Sequence, residues 1–117
     1  MRLAWLLLCM PCAASAAPLL RSEGVASLAN GVIAYREVHW QRGAGDGSER
    51  WVEYLCPAGQ PFARKQMPAA TRPQVRGYVL QDARSGQAAD VRVDPGVVRV
   101  DWKEDTSTPS RTRQLPL

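Results

Sequence analysis

At 117 residues the chain has room for one domain with a single modest core, and 45% hydrophobic against 22% charged residues excludes wholesale disorder. The formal net charge is +4, from 15 Lys and Arg against 11 Asp and Glu. The basic residues are scattered, with no run interleaved by aromatics, so a nucleic acid partner is not expected.

The chain opens with Arg2, an apolar run from Leu3 to Cys12 and the small-residue stretch Ala13 to Ala17. This is the order of a secretory signal peptide, with Ala14-Ser15-Ala16 as the cleavage site, and the run falls short of the roughly 20 apolar residues of a membrane span. Residues 1–16 are therefore read as a leader, leaving a periplasmic or secreted protein with no membrane span after cleavage. Losing Arg2, the only charged side chain among residues 1–16, lowers the net charge from +4 to +3. Cys9 and Cys12 lack the preceding residues of a lipid-attachment site and read as filler of the apolar run. Cys56 is then the single thiol, which can form no internal disulfide and packs as a small hydrophobe, pairs between chains or serves as a redox-reactive thiol.

The mature chain alternates with the period of strands. Leu19 to Leu28 is a weak first strand leading into Asn30-Gly31, a dipeptide that favours a two-residue hairpin turn with positive φ at both positions. Val32 to Gln41 returns, and its apolar residues change face near Arg36 and Glu37, which asks for a β-bulge there or a strand buried on both sides. The glycine-rich connection Arg42 to Ser48 precedes a strand from Glu49 to Cys56. Pro57-Ala58-Gly59 turns into Pro61 to Met67, with Pro61 at the start of a strand, where its missing N–H does least harm. Pro68 to Pro73 breaks the sheet and is the expected place for the chain to cross to another edge. Val75 to Gln81, Ala88 to Val93 and Val97 to Lys103 follow, joined by turns at Asp82 to Gly86 and Asp94-Pro95-Gly96. From Glu104 the alternation stops, and residues 104–117 read as a disordered polar tail. The expected fold is all-β, a small curved antiparallel meander of six or seven strands over residues 17–103. A sheet ending on an uncapped last strand would be an incomplete half-barrel, able to dimerise through an edge strand.

The strings "YREVHW", "YLCPAGQPFARKQM" and "VLQDARSG", spanning about Gly31 to Gly86, resemble a group of uncharacterised exported proteins of Gram-negative bacteria in which they open a longer β-rich domain. The resemblance implies an envelope location and a sheet, and it carries no catalytic residue. The leader, size and meander are also similar to the periplasmic lipoprotein-carrier half-barrels, which implies an apolar ligand sheltered by a curved sheet. The helices that cover the sheet in that family have no counterpart in the periodicity here.

Few residues can carry a site. Glu37 and His39 project from one strand face about 6.6 Å apart, with Tyr35 beside them. They make two ligands where a catalytic zinc wants three, so no metal, cofactor or catalytic residue is assigned. A hairpin closed by Arg42 to Ser48 pairs residues whose numbers sum to near 90, placing Tyr35 by Leu55, Ala34 by Cys56 and His39 by Trp51. Cys56 then lies too far from His39 for a thiolate–imidazolium pair. No serine-nucleophile elbow, phosphate loop, His-Glu-x-x-His or Cys-x-x-Cys motif occurs in the mature chain. Trp40, Trp51, Tyr54, Phe62, Tyr78 and Trp102 serve either as core or as the lining of a groove. The candidate ligand-binding residues are Tyr35, Glu37, His39, Trp40, Trp51 and Tyr54. The functional expectation is a binding or structural role in the envelope, toward an envelope protein or lipid. Two alternatives stand beside it: a carrier or sensor of an apolar ligand, and a metal-dependent or acid–base enzyme built on Glu37 and His39.

Overall fold

The computed structural model describes residues 17–69 and 77–117. They form eight strands: β1 (Leu19–Ser27), β2 (Ile33–Arg42), β3 (Glu49–Leu55), β4 (Pro61–Met67), β5 (Tyr78–Asp82), β6 (Ala88–Asp94), β7 (Val97–Lys103) and β8 (Arg111–Pro116). All belong to one antiparallel sheet in the order β1 to β8, unclosed, with β1 and β8 as its edges. A single 3₁₀ turn at Gly45–Gly47 is the only helical element among the described residues. The all-β meander is thus as expected, with eight strands where six or seven were read. The leader expected at residues 1–16 and the strand start at Val75 and Arg76 lie outside the described residues.

The first hairpin corrects the reading of its turn. Leu28 N donates to Val32 O at 2.8 Å and Gly31 N to Leu28 O at 2.9 Å. Gly31 has φ +83°, and no described non-glycine residue has positive φ. The turn is therefore one residue longer than the expected Asn30-Gly31 pair, with only glycine entering the left-handed region. Asn30 serves instead through its side chain, whose Oδ1 accepts the Val32 N–H at 3.0 Å.

No crossing follows β4, because β5 pairs directly beside it. Nor is there a bulge at Arg36 and Glu37: the register of β2 against both neighbours runs unbroken through them, and the irregularities lie at Ala26/Ser27 and Tyr54/Leu55. The change of face goes instead with partial burial on both sides of β2: Tyr35 is half-buried on one face and Val38, 5% exposed, lies on the other, while Val52 of β3, 4% exposed, shares the face of Tyr35.

The polar segment after β7 is built rather than loose. Asp105 Oδ1 accepts from the backbone N–H groups of Ser107 and Thr108, each at 2.8 Å, and Asp105 N donates to Thr108 Oγ1 at 3.1 Å. This side-chain-closed turn sends Arg111 to Pro116 back along β7 as β8, replacing the tail expected over residues 104–117. Gly86, at φ +76°, leaves the room that the turn uses: a Cβ there would stand 2.3 Å from Thr106 Cγ2 and 2.8 Å from Thr106 N.

Because directly paired residues share a face, the registers sort the side chains. One face carries Val52, Tyr54, Leu80, Ala89, Val91, Val98, Val100 and Trp102. The other carries the ion pairs Arg92–Asp90 at 2.9 Å and Arg99–Asp101 at 3.3 Å. Among the described residues no second layer covers either face, so Val38 and Val52 are the only buried apolar side chains there.

Candidate functional site

The six candidate residues divide between the two faces of the sheet. Tyr35, Glu37, His39 and Tyr54 lie on the apolar face, and Trp40 and Trp51 on the charged one. β2 and β3 pair with numbers summing to 91, so Trp40 faces Trp51, His39 faces Val52 and Arg36 faces Leu55. This corrects the expected pairings Tyr35 with Leu55, Ala34 with Cys56 and His39 with Trp51. The cause is local: Arg42 stays in the strand opposite Glu49 instead of entering the loop, and Gly43 N donates to Pro18 O at 3.4 Å beyond it.

On the apolar face His39 Nε2 and Glu37 Oε2 are 2.7 Å apart, as their spacing predicts, and their side chains are 45% and 27% exposed. Tyr54 lies directly across from Glu37. Its phenol is held above the ordinary tyrosine range, first by burial and then by the Glu37 charge and by Tyr35. Tyr54 therefore stays protonated at neutral pH and keeps a hydroxyl donor.

Tyr35 and Tyr54 meet edge to face at 6.1 Å between centroids, and Phe62 packs against them at 6.4 and 6.3 Å. Strict alternation would send Phe62 to the other side with Arg64. The irregularity opposite Tyr54 and Leu55, where β4 inserts a residue between Pro61 and Ala63, turns Phe62 toward the tyrosines. Arg84 covers the outer side of Phe62 with its Cζ 3.4 Å from the ring, and Lys65 Nζ stands 4.5 Å over Tyr78. The apolar strip Leu80, Val91, Val100 and Trp102 continues this surface across β5, β6 and β7.

Sequence reasoning named Phe62, Tyr78 and Trp102 as groove candidates but missed Lys65, Leu80, Arg84, Val91 and Val100. The alternation within β5 to β7 was the available signal for the aliphatic members. Nothing local marked Arg84, which reaches Phe62 because Ala83 N bonds Phe62 O at 2.8 Å across the sheet end.

On the charged face Trp40 and Trp51 stack at 6.1 Å with 15° between their planes. Arg21 lies 5.5 Å over Trp40 and Arg42 lies 5.7 Å over Trp51, making a cation–aromatic ladder. Such a stack shields the indoles without a second protein layer. Trp40 Nε1 is buried and has no hydrogen-bond partner among the described residues.

Cys56 is a free, half-buried thiol in the β3–β4 turn, four residues beyond the partner of His39. Among the described residues no three His, Cys, Asp or Glu side chains converge as a metal site, and no helix is long and apolar enough to cross a membrane. No protein-family model matches the chain, and comparison with curated proteins and with solved structures finds no match.

Proposed function

We propose that the protein is an exported component of the cell envelope that acts by binding, with the apolar sheet face as its contact surface. The observation that carries this reading is that Tyr54, Phe62, Leu80, Val91, Val100 and Trp102 share one face, half-buried only by their neighbours in the sheet, with no second layer over them among the described residues. A folded domain ordinarily buries such a face against a second layer of structure. An exposed apolar surface of this kind marks an interaction site. The leader-like residues 1–16 support a periplasmic or secreted location, and an apolar segment of an envelope protein is the partner class that fits.

A second reading, a carrier or sensor of an apolar or lipid ligand, is favoured by the cations on the same face. Arg50 and Lys65 lie on one side of the apolar strip, and Arg111 and Arg113 on the other. They suit the headgroup of an anionic amphiphile. The enzyme reading rests on Glu37 and His39 alone.

The test is native mass spectrometry of protein recovered from the periplasmic fraction, beside a Val100→Asp variant. A bound envelope protein lost in the variant supports the main reading, and lipid-sized extra mass lost in the variant supports the carrier. Retention of residues 1–16 in the mature mass would remove the basis for a soluble exported protein. A metal-sized increment would shift weight to Glu37 and His39.

A further inference from the structure

The outer edge of β1 is open and, unlike that of β8, complementary to itself. Among the described residues nothing pairs with it. Leu19, Leu20 and Val25 stand 50%, 57% and 53% exposed along it, and no proline interrupts Leu19–Ser27. Its only charged side chains are Arg21 and Glu23, which contact each other within the strand and so present no net charge to repel a second copy, and an exposed edge of this kind is a pairing site.

The orientation of the edge follows from one bond. Pro18 turns its carbonyl inward to Gly43 N, so the alternation along β1 points the N–H and C=O groups of Leu19, Arg21, Glu23 and Val25 outward. The register with β2 runs without interruption from Leu19 to Ala26, so this alternation holds over the whole stretch.

On the charged face β1 reads Leu19, Arg21, Glu23, Val25, which is apolar, positive, negative, apolar. A two-fold axis through Ser22 sets Arg21 of each copy against Glu23 of the other and Leu19 against Val25. These are the residues whose backbone groups point outward, so each such pair also exchanges both ladder hydrogen bonds. We infer that two copies of this chain pair antiparallel through β1 about Ser22, joining their sheets into one.

The opposite edge does not offer this. Antiparallel pairing of β8 with itself about Thr112 sets Arg111 against Arg113, pairing about Arg113 sets that residue against itself, and Pro116 has no N–H to give. Pairing of β1 with β8 would be head-to-tail and would run on into a filament rather than close. In the β1 dimer the axis stands perpendicular to the sheet, so both apolar faces lie on the same side and remain free for the binding role.

The test combines sedimentation velocity with directed crosslinking of the full chain in a background where Cys9, Cys12 and Cys56 are all replaced by Ala. At the axis the two copies of Ser22 form a non-hydrogen-bonded pair with Cα atoms about 4.5 Å apart, within disulfide reach. Ser22→Cys should give a covalent dimer under mild oxidation, whereas Ser27→Cys should not, its two copies lying about 33 Å apart in this register. Arg21→Glu should give monomer, and the exchange Arg21→Glu with Glu23→Arg should restore the dimer, which a mere folding defect would not do. A single-chain mass at every concentration would overturn the inference. So would a dimer that Ser22→Cys fails to trap, equal trapping by Ser27→Cys, or a dimer indifferent to Arg21→Glu.

Discussion

At the scale of single residues, the Glu37–His39 contact is partly solvated, and such pairs contribute about 0.5 kcal/mol or less. Replacing both with Gln should leave the thermal midpoint within about 4 °C, whereas a larger fall in a melting curve would assign the pair a structural weight it lacks here. Tyr54 gives a sharper reading. Its phenol titrates above the usual tyrosine value of about 10, so its contribution to stability is complete below that value and is lost as pH rises through the higher folded one. Ultraviolet titration should find one tyrosine ionising late, and Glu37→Gln should move it earlier by removing the neighbouring charge. Asp105 has the opposite sign. The Ser107 hydroxyl and the Thr108 and Ser107 N–H groups hold its carboxyl below the ordinary aspartate value. Its contribution is present above about pH 3.9 and is lost as pH falls through the lower folded value. Protection of the Ser107 and Thr108 amides, taken relative to their intrinsic exchange rate at each pH, should therefore be lost at acid pH before that of the sheet. The Glu37–His39 contact was legible in the sequence because it depends only on a spacing of two. The Asp105 turn was not, because Ser, Thr and Pro in a row look the same whether their hydroxyls meet water or close a turn.

At the scale of elements, β8 depends on Gly86, whose open side admits the Thr106 backbone. Gly86→Ala would require both a strained φ of +76° and a shift of Thr106, and each such strain costs about 1–3 kcal/mol. The expected result is a lower denaturation midpoint with exchange protection lost first across β7 and β8, and uniform loss over all eight strands would contradict it. The other elements were largely readable, since β1 to β4, β6 and β7 fall within one or two residues of the alternating segments. What escaped were the joins. A hairpin's register turns on whether one residue, Arg42, stays in the strand, and alternation alone is indifferent to that choice. The β4 irregularity that delivers Phe62 to the tyrosines arises from how two strands share a twist. It leaves no mark in β4 beyond Pro61 at its start.

At the scale of the whole molecule, one face is apolar, the other is charged and stacked, and neither carries a covering layer among the described residues. The native protein should therefore bind a hydrophobic dye while retaining its near-ultraviolet dichroism, and Trp102→Ala should weaken dye binding without abolishing the strand signal. Dye binding seen only where tertiary dichroism is lost would mean that the face is covered in the native state. By itself the sequence determined the local terms: strand alternation, positions of turns, the spacing of Glu37 and His39, and the leader-like character of residues 1–16. Only the tertiary structure decided which residues stand opposite one another, that Trp40 and Trp51 lie on the far side from Tyr35 and Tyr54, and that β8 closes the order. The physical reason is that a strand's period of two assigns each side chain to one of two faces but carries no memory of its partner. Pairing is fixed by loop closure and by interactions between residues distant in the chain, and those exist only once the sheet has assembled.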